Sequence, residues 1–177
     1  NLQAKVVDIG DIKPENFADT KRVFIITSTW GEGEMPDNAE SIWVSTCEQN
    51  PSLGSVNFSI CAIGDTSYDE FCKAGLDWDA KFNQLGATRV HDIQLCDVDY
   101  EPAWQSWANS ALQAMSDLDT GTITVDESEV VAETSTTQAS AVATSGEASE
   151  ELAALMAGDR SLAILFGSQT GNSAGLA

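Results

Sequence analysis

Residues 161–177 read SLAILFGSQTGNSAGLA, and this stretch decides the fold class. Leu162 to Phe166 is an unbroken apolar run, the pattern of a strand buried on both faces of a parallel sheet. A loop rich in hydroxyl and amide groups follows, from Gly167 to Ser173, after which the pattern turns helical. Strand, polar loop and helix start make an anion cradle, because free backbone N–H groups and the positive end of a helix dipole converge there. The loop lacks the lysine of a triphosphate-binding P-loop, so it suits a phosphate monoester better than a triphosphate with Mg2+. Taken alone, it reads equally well as an ordinary helix cap.

Working outward, a fully buried strand over Val23 to Thr27 and strands over Val56 to Ile63 and Arg89 to Leu95 precede it, with a shorter one over Ala4 to Ile9. Helices are expected between them. The first runs from Ala39 to Glu48, capped by Asp37 or Asn38. The second spans Cys72 to Leu85, with Phe71, Leu76, Phe82 and Leu85 as its apolar face and Gly86 as its stop. The third spans Glu101 to Met115, with Pro102 in its first turn. Strands alternating with helices imply an α/β fold around a parallel sheet. Residues 116–146 are rich in Ser, Thr, Ala, Val and Glu, carry no aromatic residue and show no periodicity, the composition of an acidic linker. A short helix is expected over residues 147–157, around Leu152, Leu155 and Met156. No internal repeat is evident.

The 177 residues carry a formal charge of −20. That charge argues against nucleic acid and anionic membranes as partners and favours a basic protein. Cys47, Cys61, Cys72 and Cys96 show no C-x-x-C or zinc spacing, which fits reduced thiols in a cytoplasmic protein. No signal peptide or membrane-length apolar run is present in the sequence. The one histidine, His91, has no sequence partner and reads as a surface or sheet-edge residue.

Two further strand-end loops carry unusual chemistry, in the place where open parallel sheets bind ligands. In Ser28 to Asn38 (STWGEGEMPDN), Thr29 and Trp30 precede Gly31 and Gly33; an indole flanked by glycines suits close approach to a flat ligand. In Gly64 to Phe71 (GDTSYDEF), Tyr68 again stands a few residues past a strand end, among Asp65 and other small polar residues. Either aromatic alone is equally a lid on the core. Two aromatics beside a phosphate cradle make a slot for a planar heterocycle that ends in a phosphate. The run Asp97-Val98-Asp99-Tyr100-Glu101 lacks the full calcium-loop pattern. With Glu32, Glu34, Asp37, Asp65, Asp69 and Glu70 it reads as an acidic rim, functional only toward a basic partner.

These motifs, with Gln84 to Arg89 (QLGATR) and Cys96 to Tyr100 (CDVDY), give the chain a resemblance to the flavodoxin-like FMN domain of the diflavin reductases, the sulfite-reductase flavoprotein type above all. The resemblance covers residues 1–115 and 161–177. It implies a three-layer sandwich with a five-stranded parallel sheet in the order 2-1-3-4-5. It further implies that Ser168, Gln169, Thr170, Gly171, Asn172 and Ser173 bind the FMN phosphate. Trp30 and Tyr68 would flank the isoalloxazine, with Thr29, Gly31, Gly33, Gly64, Asp65, Phe71 and Asp97 lining its surroundings. The peptide at Gly31 would lie near flavin N5, its carbonyl an acceptor once N5 is protonated. Trp30 stands where Tyr is common in the family, and Asp65 where other branches have Asn.

What the resemblance implies functionally is one-electron transfer, from an FAD/NADPH reductase module through FMN to a basic haem or iron–sulfur partner. The chain alone would then be a carrier domain rather than a complete enzyme, with no catalytic side chain and no metal. A cofactor-free interaction module of the same fold and a flavin-dependent quinone reductase stand as alternatives. In the family order, strand one lies at the centre of the sheet, and here Leu162 to Phe166 would supply it. The expected division is therefore 1–115, a linker over 116–160, and 161–177 as strand one, phosphate loop and the start of helix one. A coil the length of that linker reaches about 35–40 Å, enough to return the strand to its own sheet. A circular permutant and a fragment of a tandem array both satisfy this, and ends that look cut favour the fragment. A short first helix would leave an apolar stripe exposed, with weak FMN affinity and self-association as expected consequences.

Overall fold

The computed structural model describes residues 2–118 and 160–168. Strands β1 (Gln3–Asp8), β2 (Arg22–Ser28), β3 (Asn57–Ile63), β4 (Thr88–Arg89), β5 (Gln94–Cys96) and β6 (Ser161–Gly167) form one sheet, every pairing parallel. The order is β1-β6-β2-β3-β4, with β5 also on β3. Strand β6 thus lies between β1 and β2, Ala4 facing Leu162 on one side and Val23 facing Ala163 on the other. This is the central position that the family resemblance implies for residues 162–166.

The expected single strand over 89–95 is broken in two. On β3, only Ser59 and Ile60 separate the β4-paired residues from the β5-paired ones, whereas Val90 to Ile93 separate them on the other side. The extra residues bulge out at the sheet edge, where no further strand among the described residues forces a regular register. Ser59 Oγ donates to the His91 carbonyl across this bulge at 3.2 Å.

Alternation along the strands builds two cores. Val23 and Ile25 of β2, Phe58 and Ile60 of β3, and Ala163 and Leu165 of β6 face one side. Phe24, Ile26, Cys61, Ile63 and Leu162 face the other. The first side is covered by α1 (Pro14–Asp19), α2 (Asp37–Gln49) and α3 (Lys73–Gln84), the second by α4 (Glu101–Asp117). Helices on both faces make three layers. Helix α1 is absent from the sequence reading. Its six residues are too few for periodicity, and it is set instead by Pro14 at its start and by the Lys13 amide donating to Asn16 Oδ1 at 2.9 Å.

Two expectations for helix faces change. Leu76 is exposed on α3, and Trp78, fully buried against Phe17, Phe82 and Trp43, takes the anchoring place. Helix α2 begins two residues earlier than expected, at Asp37, with Pro36 rather than Asp37 or Asn38 in the cap position. Gly86, at φ +92°, follows the end of α3 as the sequence indicates. On the α4 side, Ala4 and Val6 of β1 are exposed and Ile164 and Phe166 of β6 half-buried. The expected helix over 147–157 and the linker lie outside the described residues.

Candidate functional site

The carboxyl ends of β2, β3 and β6 converge on one edge of the sheet, and the loops leaving β2 and β3 enclose an open cleft of about 550 Å³. Ser28, Thr29, Trp30 and Gly31 line it from one loop; Gly64, Asp65, Tyr68, Glu70, Phe71 and Cys72 line it from the other, with Ile63 between them. Trp30 is 50 % and Tyr68 62 % exposed, so neither is the core lid that each loop alone allowed. Large aromatics standing out of clefts mark binding surfaces.

Each loop is rigid for a local reason. Trp30 and Glu34 form an antiparallel bridge, the Trp30 amide donating to the Glu34 carbonyl at 3.0 Å and the Glu34 amide returning to the Trp30 carbonyl at 2.8 Å. Closing that turn requires Gly31 at φ +51° and Gly33 at φ +105°, values side chains rarely adopt. Gly33 lies outside the cleft lining and packs the first loop on the second: a Cβ there would sit 2.7 Å from Lys73 Cδ and 3.0 Å from Glu70 Cβ. Thr29 Oγ1 accepts from the Ala74 amide at 3.1 Å, so this loop also caps the first turn of α3.

In the second loop the Asp65 carboxylate accepts from the Ser67 amide at 2.7 Å, folding the chain that presents Tyr68. Asp97, also outside the cleft lining, holds this loop from behind through the Thr66 amide and hydroxyl. Those bonds, with the Val98 amide, hold its carboxyl below the usual carboxylate range. Gly64 is compulsory, because a Cβ would lie 2.8 Å from the Cys72 amide nitrogen.

The cleft floor carries no activated nucleophile. Burial pushes the Cys72 thiol up to about 12, so it stays protonated at neutral pH. Behind it, Cys61 and Cys96 sulfurs lie 3.6 Å apart, both buried. Hydrogen bonding to Cys96, followed by burial, holds Cys61 above the ordinary thiol range. Cys72 sits at φ +56°, an uncommon backbone state for a residue with a Cβ. His91 lies on the β4–β5 bulge, bonded to the Asp92 carbonyl, apart from the cleft. Among the described residues no His/Cys/Asp/Glu group is arranged to hold a metal, and no helix is long and apolar enough to cross a membrane.

The third expected loop begins at Ser168 at the end of β6. The Ser168 amide donates to Asn38 Oδ1 at 3.0 Å, while its Oγ is buried without a partner. A buried hydroxyl left without a partner is costly in isolation and suits a ligand acceptor. Gln169, Thr170, Gly171, Asn172 and Ser173 lie outside the described residues. The sequence reading took Asn38 only as a candidate helix cap and passed over Asp8. An Asn at a helix start signals a cap, and only the return of residue 168 to this place gives it another role.

A doubly wound parallel sheet with paired exposed aromatics and an unsatisfied hydroxyl at adjoining strand ends defines a domain that binds a flat, nucleotide-type ligand at that edge. The chain belongs to the flavodoxin family, whose model matches residues 1–113. It is 34% identical over 118 residues to the NADPH sulfite reductase flavoprotein alpha-component of Thiocapsa roseopersicina, covering 66% of this chain and 23% of that protein. To the protein of the same name from Vibrio parahaemolyticus it is 38% identical over 112 residues, covering 63% and 18%. The chain therefore matches about a fifth of the length of these relatives. Among solved structures, the flavodoxin of Streptococcus pneumoniae TIGR4 is similar, with a TM-score of 0.51 at 27% identity, covering 62% of this chain and 77% of that one. As a family member it is an FMN-binding electron-transport flavoprotein domain, and the cleft, its aromatics and Ser168 Oγ fit that cofactor.

Proposed function

We propose that the chain is the FMN carrier domain of a sulfite-reductase-type flavoprotein, taking electrons from an FAD/NADPH reductase module and passing them to a basic haem or iron–sulfur partner. In this reading residues 1–115 and 161–177 form the domain and 116–160 its linker. The observation that carries it is the pair Trp30 and Tyr68, exposed on the two loops of one cleft. When bound, FMN supplies one-electron redox chemistry, and the protein holds and insulates it. Trp30 and Tyr68 would flank the ring, Ser168 Oγ–H would donate to the phosphate, and the Gly31 carbonyl would be available as an acceptor beside the ring. The Cys72 thiol on the cleft floor is protonated at neutral pH and does not compete as a nucleophile. The net charge of −20 favours encounter with a basic acceptor.

The test is reconstitution with FMN, followed by NADPH and a separately purified FAD/NADPH reductase module of the sulfite-reductase type. Expected are one-to-one quenching of tryptophan fluorescence, visible flavin absorbance, bleaching by NADPH only with the reductase module present, and reoxidation by a basic haem protein. A colourless product, or bound flavin that the module cannot reduce, overturns the proposal.

A further inference from the structure

We infer that Asn38 is the positioning residue of the phosphate end of the FMN site, its side-chain amide set by Asp8. The inference rests on the FMN reading above. Asn38 is the second residue of α2, yet its side chain turns to the sheet instead of capping its own helix. Its Nδ2 donates to Asp8 Oδ1 at 2.9 Å and to the Phe166 carbonyl at 3.4 Å. Its Oδ1 accepts the Ser168 amide at 3.0 Å. One side chain thereby joins the ends of β1, β6 and α2.

The orientation is forced. An ionised carboxylate only accepts, so the NH2 of Asn38 must face Asp8, which leaves the carbonyl oxygen to face Ser168. Asp8 is itself fixed, because the same Oδ1 accepts the Gly10 amide at 2.9 Å. Gly10 and Gly167 let the backbones close around this knot. A Cβ at Gly10 would lie 2.6 Å from the Asn38 carbonyl oxygen; one at Gly167 would lie 3.0 Å from Thr27 Oγ1 and 3.3 Å from Pro36 Cγ.

Two consequences follow for the ligand. With its amide spent on Asn38, Ser168 offers the phosphate its hydroxyl alone. That hydroxyl is the buried, unpartnered one, so the contact on the amide fixes where an otherwise unsatisfied donor lies. Removing the Asn38 side chain frees the Ser168 amide and lets Ser168 turn, which disfavours the phosphate without touching the ring slot between Trp30 and Tyr68.

The experiment titrates the full chain with FMN and with riboflavin, which has the same ring but no phosphate, by flavin and tryptophan fluorescence. For Asn38→Ala the FMN dissociation constant is expected to rise about five- to tenfold, the scale of one lost hydrogen bond, with riboflavin binding unchanged within twofold. Unchanged FMN binding, or a parallel loss for both flavins, overturns the inference. Should Asn38→Ala not fold, Asp8→Ala keeps Asn38 in place but removes the acceptor that orients it, and the same selective loss is expected. A parallel loss, or none, overturns the inference there too. A wild-type chain that binds neither flavin overturns the FMN reading and this inference with it, whereas a wild type that binds FMN beside an unaffected Asn38→Ala overturns this inference alone.

Discussion

Thr66 donates both its amide, at 3.1 Å, and its hydroxyl to the carboxylate of Asp97, tying the loop that presents Tyr68 to the end of β5. These bonds lower the pKa of Asp97 in the folded protein. A carboxyl with a depressed folded pKa contributes stability above its unfolded value, about 3.9, and loses it as pH falls through the folded pKa. Wild type is therefore expected to melt above Asp97→Asn at pH 7, and the gap should close as pH falls below about 4. Thermal unfolding of flavin-free protein across pH measures this. A gap that is constant in pH would show that Asp97 acts through shape rather than charge.

Trp30 and Tyr68 project from loops that are braced without them, so their removal should affect binding and spare the fold. Exposed substitutions away from buried contacts change stability by within about 0.5 kcal/mol. An aromatic stacked on a heterocyclic base carries about 1–3 kcal/mol. Trp30→Ala and Tyr68→Ala are each expected to weaken FMN roughly ten- to a hundredfold on that scale, with denaturant midpoints unchanged, and Trp30→Phe should recover most of the loss. Equal losses in stability and affinity would place the rings in the core instead.

The central strand was legible because burial on both faces leaves an unbroken apolar run, and β6 shows one in Leu162 to Phe166. The cleft aromatics were legible because glycines and small polar residues around Trp30 and Tyr68 leave an indole or phenol nowhere to hide. Other features depend on contacts distant in sequence. The break between β4 and β5 follows from an edge position that pairing alone defines; its one local trace is the adjacent polar pair His91-Asp92 in the middle of the run. Leu76 and Trp78 sit two residues apart on one helix, and only the aromatic cluster of Phe17, Trp43 and Phe82 decides which of them turns inward. Asn38 meets Ser168 across 130 positions, a distance over which no local pattern speaks.

Gly75 shows how closely α3 lies on the sheet beneath the cleft. A Cβ there would sit 2.3 Å from Ala62 Cβ, far inside the ~3.5–4.0 Å of an ordinary carbon contact. Gly→Ala inside a helix gains about 1 kcal/mol of propensity, while overpacking of a core costs about 1–3 kcal/mol. The clash is with a short β-strand side chain that has no rotamer to yield, so it wins. Gly75→Ala is expected to destabilise by about 1–2 kcal/mol net on those figures, read from denaturant unfolding. Gly54→Ala, with no atom within 4 Å of the added methyl, is the control and should leave stability nearly unchanged. A neutral Gly75→Ala would mean that α3 can lift off β3 freely.

On the opposite face, the Trp107 indole donates to Ser59 Oγ at 2.8 Å, and that hydroxyl donates onward to the His91 carbonyl at 3.2 Å. Trp107 is 2% exposed and stacks against Phe24, so no water can replace Ser59. Ser59→Ala leaves a buried N–H without a partner, a loss of about 1–3 kcal/mol. In a Trp107→Phe background the donor is gone, and the same substitution should cost only what the His91 bond is worth, about 0.5–1.5 kcal/mol. The difference is the coupling energy of a double-mutant cycle, measured by urea unfolding of the two single variants and the double. Strict additivity would show that the indole N–H finds another acceptor when Ser59 is lost, and that the α4 face is held by apolar contact alone.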